Sequence, residues 1–447
     1  MPTYDTAARP IIQIGDWYFR GLLYTLMGYA TIGKGFAYLG YPPLFIGEIA
    51  LLLGILVLIQ SGYLVASLAT LPSFLLAILM AWVLARTLPY LSVYGFDAPR
   101  DSVVVMYGVF AFIVAALLLQ DRHRLAVIVE YYRRFLGIFV PLAPFVLALD
   151  RYAADYVPHL LGSNVPVIQV RTSEAAVHVA GAAVFALVGF RKAPPLWIVL
   201  VLITGIVASV SSRGAMLAIV VPIVIATVVI GKVRQLAIAV AGGLMIFALA
   251  YAIETTVTDY HDPGSTSERP ISTRQIGENI ASIFGRSGVQ SEGTKTWRID
   301  WWNIIISNTV RGPYFWTGRG FGLNLAMADG FGAPYTPDRP VLRSPHNVHM
   351  TLLARAGIPG VVLWWLFLTS WFGMLGSALL TAIRRRQTER RGFLLFIGCY
   401  VIASIINATF DVALEGPMLG IWFWCLIGLG IGTVMIYRYQ PDAAFRP

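Results

Sequence analysis

The sequence predicts an all-α fold, a polytopic transmembrane helical bundle of about twelve spans with one large, partly helical loop outside the membrane. Three observations carry that expectation. Hydrophobic residues make up 57% of the 447 and charged residues only 13%, with a mean hydropathy of +0.71. A soluble domain carries about 25% charged residues. Apolar stretches near the ~20 residues that a bilayer core demands recur along the chain. The basic residues gather in short loops between those stretches, and the one long polar segment runs from Ile253 to Pro345. The net charge of +10 therefore reads as orientation in a membrane and not as a nucleic-acid signal. Cys399 and Cys425 both fall in apolar stretches and give no sign of a disulfide framework.

The spans centre near Leu26, Leu52, Leu79, Phe112, Pro141, Phe185, Leu202, Val221, Leu244, Leu368, Val401 and Leu426. Pro72 interrupts the stretch from Ser61 to Leu88, and Glu130, Arg133 and Arg134 interrupt Leu125–Leu149. The N-terminus has no basic region followed by a short apolar core, so the first span is expected to be the insertion signal. Four basic groups set the orientation. They are Arg122, Arg124, Arg133 and Arg134; Arg191 and Lys192; Lys232 and Arg234; and Arg384, Arg385, Arg386, Arg390 and Arg391. With a cytoplasmic N-terminus all four fall in the cytoplasm, and residues 253–345 lie outside, on the periplasmic side. That segment holds nine Lys/Arg and nine Asp/Glu, so charge does not oppose its export. A shorter outer loop spans about Asp150 to Ser173. The organisation is nine spans over 1–252, the large loop over 253–345 and three spans over 346–447, all in one membrane domain.

Within the loop, His261–Ser267 is a turn-rich run. Apolar spacing predicts a helix from Arg298 to Thr309, ended by Gly312-Pro313. A short helix from His346 to Ala356 follows, with Ser344-Pro345 as cap and first turn and Pro359 at the junction with the next span.

The groups able to carry chemistry cluster at the outer ends of the spans. Arg213, in Ser211-Ser212-Arg213-Gly214, is either an arginine snorkelling to the interface or a phosphate ligand, since a guanidinium offers phosphate two parallel charged hydrogen bonds. Arg298 and Trp302 are four apart and share a helix face. Trp297, Trp301 and Trp302 also fit an interfacial belt. Gly318, Gly320 and Gly322 suit a tight turn and not a dinucleotide site, because no βαβ unit surrounds them. His346-Asn347 is the sharpest feature, because histidine is the usual general base near neutral pH; capping polarity at a membrane surface is the plainer explanation. His349 is a weaker competitor. Arg171, Glu174 and His178 crowd the top of the sixth span, where Glu174 and His178 face one cavity or pair with each other. Asp411 and Glu415, four apart near the last two spans, are acids at a depth where charge is costly. Lys34 and Glu48 are expected to close the first hairpin as an ion pair. No metal-ligand spacing is present, so no metal or other cofactor is expected.

In order and spacing these pieces resemble the O-antigen ligase and polymerase superfamily of bacterial membrane glycosyltransferases. The resemblance rests on Ser212-Arg213-Gly214 at a span end, Arg298 and Trp302 as R-x-x-x-W, Gly318-x-Gly320, His346-Asn347 and Gly357-x-x-Gly360, and covers roughly Leu196 to the C-terminus. It implies transfer of a glycan from an undecaprenyl-diphosphate carrier to an acceptor hydroxyl at the outer face of the inner membrane. The acceptor is lipid A core for a ligase or a second lipid-linked glycan for a polymerase. It further implies that Arg213 and Arg298 hold the diphosphate, that His346 takes the acceptor proton with Asn347 or a nearby acid orienting it, and that Arg319 and Arg343 are reserve phosphate or sugar contacts. Arg355 stands where the family often has an acid. A transporter or flippase of lipid-linked saccharides is the rival class; it would show repeated halves and mid-membrane polar groups.

Overall fold

Each of the twelve expected span centres falls in a helix of its own. The computed structural model describes residues 8–257, 273–283, 289–332 and 342–439. Its helices of ten or more residues are α1 (Ala8–Thr31), α2 (Ile46–Ser61), α3 (Leu71–Thr87), α4 (Asp97–Met106), α5 (Val109–Gln120), α6 (Arg124–Tyr152), α7 (Thr172–Leu187) and α8 (Pro195–Ser211). They continue as α9 (Arg213–Val229), α10 (Val233–Val257), α11 (Thr273–Ile283), α12 (Val289–Thr309), α13 (Val348–Arg384), α14 (Thr388–Phe410) and α15 (Pro417–Tyr439). Among the described residues six helices are long and apolar enough to cross a membrane, or seven if α4 and α5, bent by 41°, form one span. α2, α7, α8 and α9 are shorter apolar helices. The chain is an all-α, multi-pass membrane protein. The His261–Ser267 run lies outside the described residues.

Pro72 begins a helix instead of interrupting one. It stands in the first turn of α3, where a missing N–H costs nothing, and Thr70 caps that turn by accepting from Ser73 N at 3.3 Å. The apolar window of α15 is wholly buried, which makes it the central helix. Its glycines permit this. A Cβ on Gly428 would sit 2.4 Å from the Ala111 carbonyl oxygen of α5, and one on Gly432 would meet Leu118 at 2.8 Å.

The first hairpin closes differently from the expected ion pair. The Glu48 carboxylate accepts from Tyr107 Oη at 2.7 Å and Phe45 N at 3.2 Å. Lys34 instead sits by the shorter outer loop, its backbone N–H donating to Gln169 O at 2.8 Å. Burial first, and then the charge of Arg171, push its ammonium below the ordinary lysine value.

The long helix α13 is broken at Gly357, whose φ of 71° and ψ of −169° leave the helical region, with Pro359 two residues on. The break detaches the carbonyls of Ala354, Arg355 and Ala356 from their helical partners, and groups from elsewhere replace them. Arg319 N donates to Ala354 O at 2.7 Å and Gly320 N to Arg355 O at 3.0 Å. Trp82 Nε1 reaches Ala356 O at 2.9 Å, and Ile358 N turns to Phe315 O at 2.8 Å. Gly318-x-Gly320 is thus a turn docked on the break, with φ of 60° and 81° at its glycines. Replacing Gly357 by Ala forces a left-handed residue at roughly 1–2 kcal/mol and sets a Cβ 2.7 Å from Gly318 N and Phe315 O. Tryptophan-fluorescence melting of G357A in detergent should give a midpoint a few degrees lower; an unchanged midpoint would show that the break does not need glycine.

Candidate active site

His346 lies just before α13 in a left-handed conformation, φ 53°, unusual outside glycine. Its backbone is held from three sides. Trp302 Nε1 of α12 donates to Pro345 O at 3.2 Å. Asn347 Oδ1 caps α13 by accepting from His349 N at 2.9 Å and Met350 N at 3.1 Å. Arg343 anchors the approach through Gly322 O at 2.9 Å, Asp101 at 3.1 Å and Asp97 at 3.3 Å. Asn347, and not Ser344-Pro345, is therefore the cap of α13, and the helix starts at Val348 instead of His346.

The imidazole Nδ1 lies 3.4 Å from Asp411 Oδ1, and the ring stays partly exposed beside Trp297. Asp411 follows the last residue of α14 and collects further donors. Ser173 Oγ donates to Oδ2 at 2.6 Å, Val412 N to Oδ1 at 2.8 Å, and Arg171 Nη1 lies 3.8 Å away. Burial alone raises its pKa. The hydrogen bonds from His346 and Ser173, the charge of Arg171 and the Val412 N–H outweigh burial and hold the carboxyl well below the usual carboxylate range. Glu415 shows the reverse balance. Burial raises it above the ordinary value against hydrogen bonds from Ser344 and Thr351 and the charge of Arg355.

The first turns of α7 and α9 meet the end of α14 here. Gly214, next to Arg213, packs so closely on Phe410 that a Cβ would sit 2.7 Å from its Cβ. Arg213 opens α9 after Ser212, whose hydroxyl accepts from Ala215 N at 3.5 Å. Glu174 is buried in the first turn of α7, within electrostatic range of Arg171 and Asp411. The loop helix α11 plugs the neighbouring helix end. Asn279 Nδ2 donates to Ser209 O at 2.9 Å and Val210 O at 3.0 Å, serving carbonyls that the end of α8 leaves open. Residues 198–365 match the family model described as O-Antigen ligase. That stretch, somewhat over a third of the chain, is similar to the O-antigen ligase family. None of the curated proteins compared with the chain matches.

The ligase-family segment supplies Arg213, Arg298, Trp302, Arg319, Arg343, His346 and Asn347, while Arg171, Glu174 and Asp411 come from outside it. The structure brings His346, Asp411 and Arg171 together with Glu174 in electrostatic range, and Arg213 precedes the Gly214 that packs on Phe410, the residue before Asp411. Arg298 is half-buried one turn before Trp302 on α12, a helix that begins at Val289 and not at Arg298. The three tryptophans do not form a belt. Trp301 is fully buried and donates to Asp329 Oδ2 at 2.8 Å, Trp302 holds Pro345, and Trp297 borders His346.

Arg319 is paired with the same Asp329, so its guanidinium is already engaged. His178 neither pairs with Glu174 nor joins His346. Its Nδ1 meets Tyr400 Oη at 2.6 Å in the bundle core, and its ring packs on Trp422. His349 accepts from Trp364 Nε1 at 3.1 Å and turns Nε2 to Thr409 at 3.3 Å. An apolar cavity with an empty volume of about 610 Å³, lined in part by Phe19, Leu26, Tyr400 and Trp422, lies in that core and touches none of the groups around Asp411.

Asp101 went unnoticed in the sequence. It accepts from Arg343 and from the buried Arg355 at 3.0 Å. Its signal is the charged run Asp97, Arg100 and Asp101 at three- and four-residue spacing where a span begins. Asn347 is placed as a cap, so losing it should cost about 0.5–2 kcal/mol, whereas Asp keeps the acceptor. Denaturation in detergent should find N347A less stable than the parent and N347D close to it. Equal stability of all three would remove the capping role.

Proposed function

We propose that this protein transfers a glycan from an undecaprenyl-diphosphate carrier to an acceptor hydroxyl at the periplasmic face of a bacterial inner membrane, with no metal or other cofactor. The observation that carries the reading is the His346–Asp411 contact at the end of the bundle where the long loop attaches. An ionised Asp411 keeps the proton on Nδ1 and makes Nε2 the basic nitrogen. In the reaction the acceptor oxygen bonds to the anomeric carbon as the bond from that carbon to the diphosphate oxygen breaks. The acceptor proton passes to His346 Nε2, and undecaprenyl diphosphate leaves with the bonding electrons. Arg213 and Arg298 bind the diphosphate and offset the charge that grows on it.

Of the two candidates for orienting His346, Asp411 is favoured, since the Asn347 side chain is occupied as a helix cap. Arg171 steadies Asp411, and Glu174, buried in the first turn of α7, belongs to the same charge cluster in place of the sugar contact expected of it. Arg319, Arg343 and Trp302 act by fixing the loop under His346. His178 serves the core. Lipid A core and a second lipid-linked glycan are both acceptors consistent with this chemistry, and the assay separates them.

Purified protein in detergent would be given an undecaprenyl-diphosphate oligosaccharide, with and without lipid A core, and the products resolved on a gel. A ladder from donor alone marks a polymerase; a shift only with lipid A core marks a ligase. H346N, chosen because Asn tolerates the left-handed backbone, should lose about 10²–10⁴ in rate. D411N should lose at least about tenfold through the wrong tautomer, and R213A about 10²–10³. Full activity in H346N would sink the base assignment. Movement of the carrier lipid across a liposome membrane without transfer would replace the enzyme reading with transport.

A further inference from the structure

A second polar site lies at the opposite end of the bundle, the end expected at the cytoplasmic surface. α13 finishes there and α14 begins. The turn between them is set by Arg385 N to Thr381 O at 3.0 Å, Gln387 N to Ala382 O at 2.9 Å, and a left-handed Arg386 at φ 55°. Between this turn and the end of α15 is a cavity with an empty volume of about 740 Å³. Arg385, Arg390 and Arg438 line it, and none of the described lining residues is acidic. Arg390 is fixed in place. It is buried, donates to Gln387 Oε1 at 3.1 Å and lies 4.2 Å over the Tyr437 ring. Arg385 and Arg438 form no ion pair with a described residue. Gln387, also in the lining, is the N-cap of α14 and makes no side-chain capping bond, so the positive end of that helix adds to the rim.

A cluster that only set orientation would need charge but no concavity, and no guanidinium held against a ring. The cavity also has depth. Ala378 and Ser377 precede Arg385 by about two helical turns, roughly 11–12 Å, and Val434 precedes Arg438 by one. The inner wall holds Ala378, Ala382 and Val434, with Ser377 and Thr381 beside them and the Thr381 hydroxyl spent on Ser377 O, while the rim is cationic. That gradient matches an amphiphile standing in a bilayer. We infer that this cavity binds the phosphate headgroup of an anionic phospholipid, held by Arg385, Arg390 and Arg438, with the glycerol and first acyl carbons along the Ala378–Val434 wall.

The full-length protein in detergent would be mixed with equal amounts of phosphatidylglycerol and phosphatidylethanolamine, and retained lipid read by native mass spectrometry. The parent should retain phosphatidylglycerol preferentially. R385A/R438A, which changes two exposed side chains, should lose about tenfold or more of that occupancy, as expected when charge-assisted bonds to phosphate are removed. R384A/R386N removes the same charge outside the cavity and should retain the lipid. Equal retention by the parent and R385A/R438A overturns the site. Equal loss in both double variants reduces it to diffuse charge. Binding of inorganic phosphate by the parent, with no preference between the two lipids, overturns the lipid assignment.

Discussion

The break in α13 at Gly357 releases backbone carbonyls where water is scarce, and the surrounding architecture follows from their need for partners. An unpaired peptide group is expensive at membrane depth. The Phe315–Gly320 turn and Trp82 supply the missing donors. Meeting that need pins the turn to the helix, and the turn brings Phe321 and Leu323 into the same layer. Arg355 is then closed in by the Leu323 carbonyl at 3.0 Å and by Asp101. The segment Val348–Ala356 becomes a separate short platform, with His346 at its rim. A straight helix through Gly357 would offer no carbonyls for the turn and no fixed ledge for the histidine.

On that ledge the electrostatics are shared among elements far apart in the chain. Asp411 is the meeting point of a histidine before α13, a serine and an arginine at the start of α7, and its own backbone. A carboxylate served by so many donors stays charged despite burial, and its neighbours are positioned by serving it. Glu415, four residues on, has less compensation for its burial and shifts the other way. Two acids four residues apart are thus shifted in opposite directions. The difference is set by which side chains the packed helices bring to each.

What the sequence revealed follows the same division. Helix positions were legible because each depends on local hydropathy alone. The break was legible too, since Gly357 and Pro359 announce it locally, and so was His346 as a polar residue before an apolar helix. Partner identity was not. Nothing in the spacing says that Glu48 would choose Tyr107 over Lys34, or that His178 would turn to Tyr400. Arg319 and Arg343 read as free cations because Asp329 is ten residues from the one, and Asp101 is 242 from the other. The cap of α13 was assigned to Ser344-Pro345 because Asn347 looked like half of a reactive pair, when its side chain was needed by the helix.

Asp101 also has a consequence for how the chain is made. The acid belongs to α4, which leaves the ribosome long before Arg343 and Arg355, so during synthesis it meets the bilayer without two of its final counter-charges. Arg100 is the stand-in, 3.2 Å from Asp101 and 2.9 Å from Asp97, supplied by the same short helix at the same moment. The nascent segment therefore carries its own provisional neutralisation. Docking of the late arginines then completes a cluster that joins the first spans to the last, and full burial of Asp101 waits for the C-terminal third of the protein to arrive.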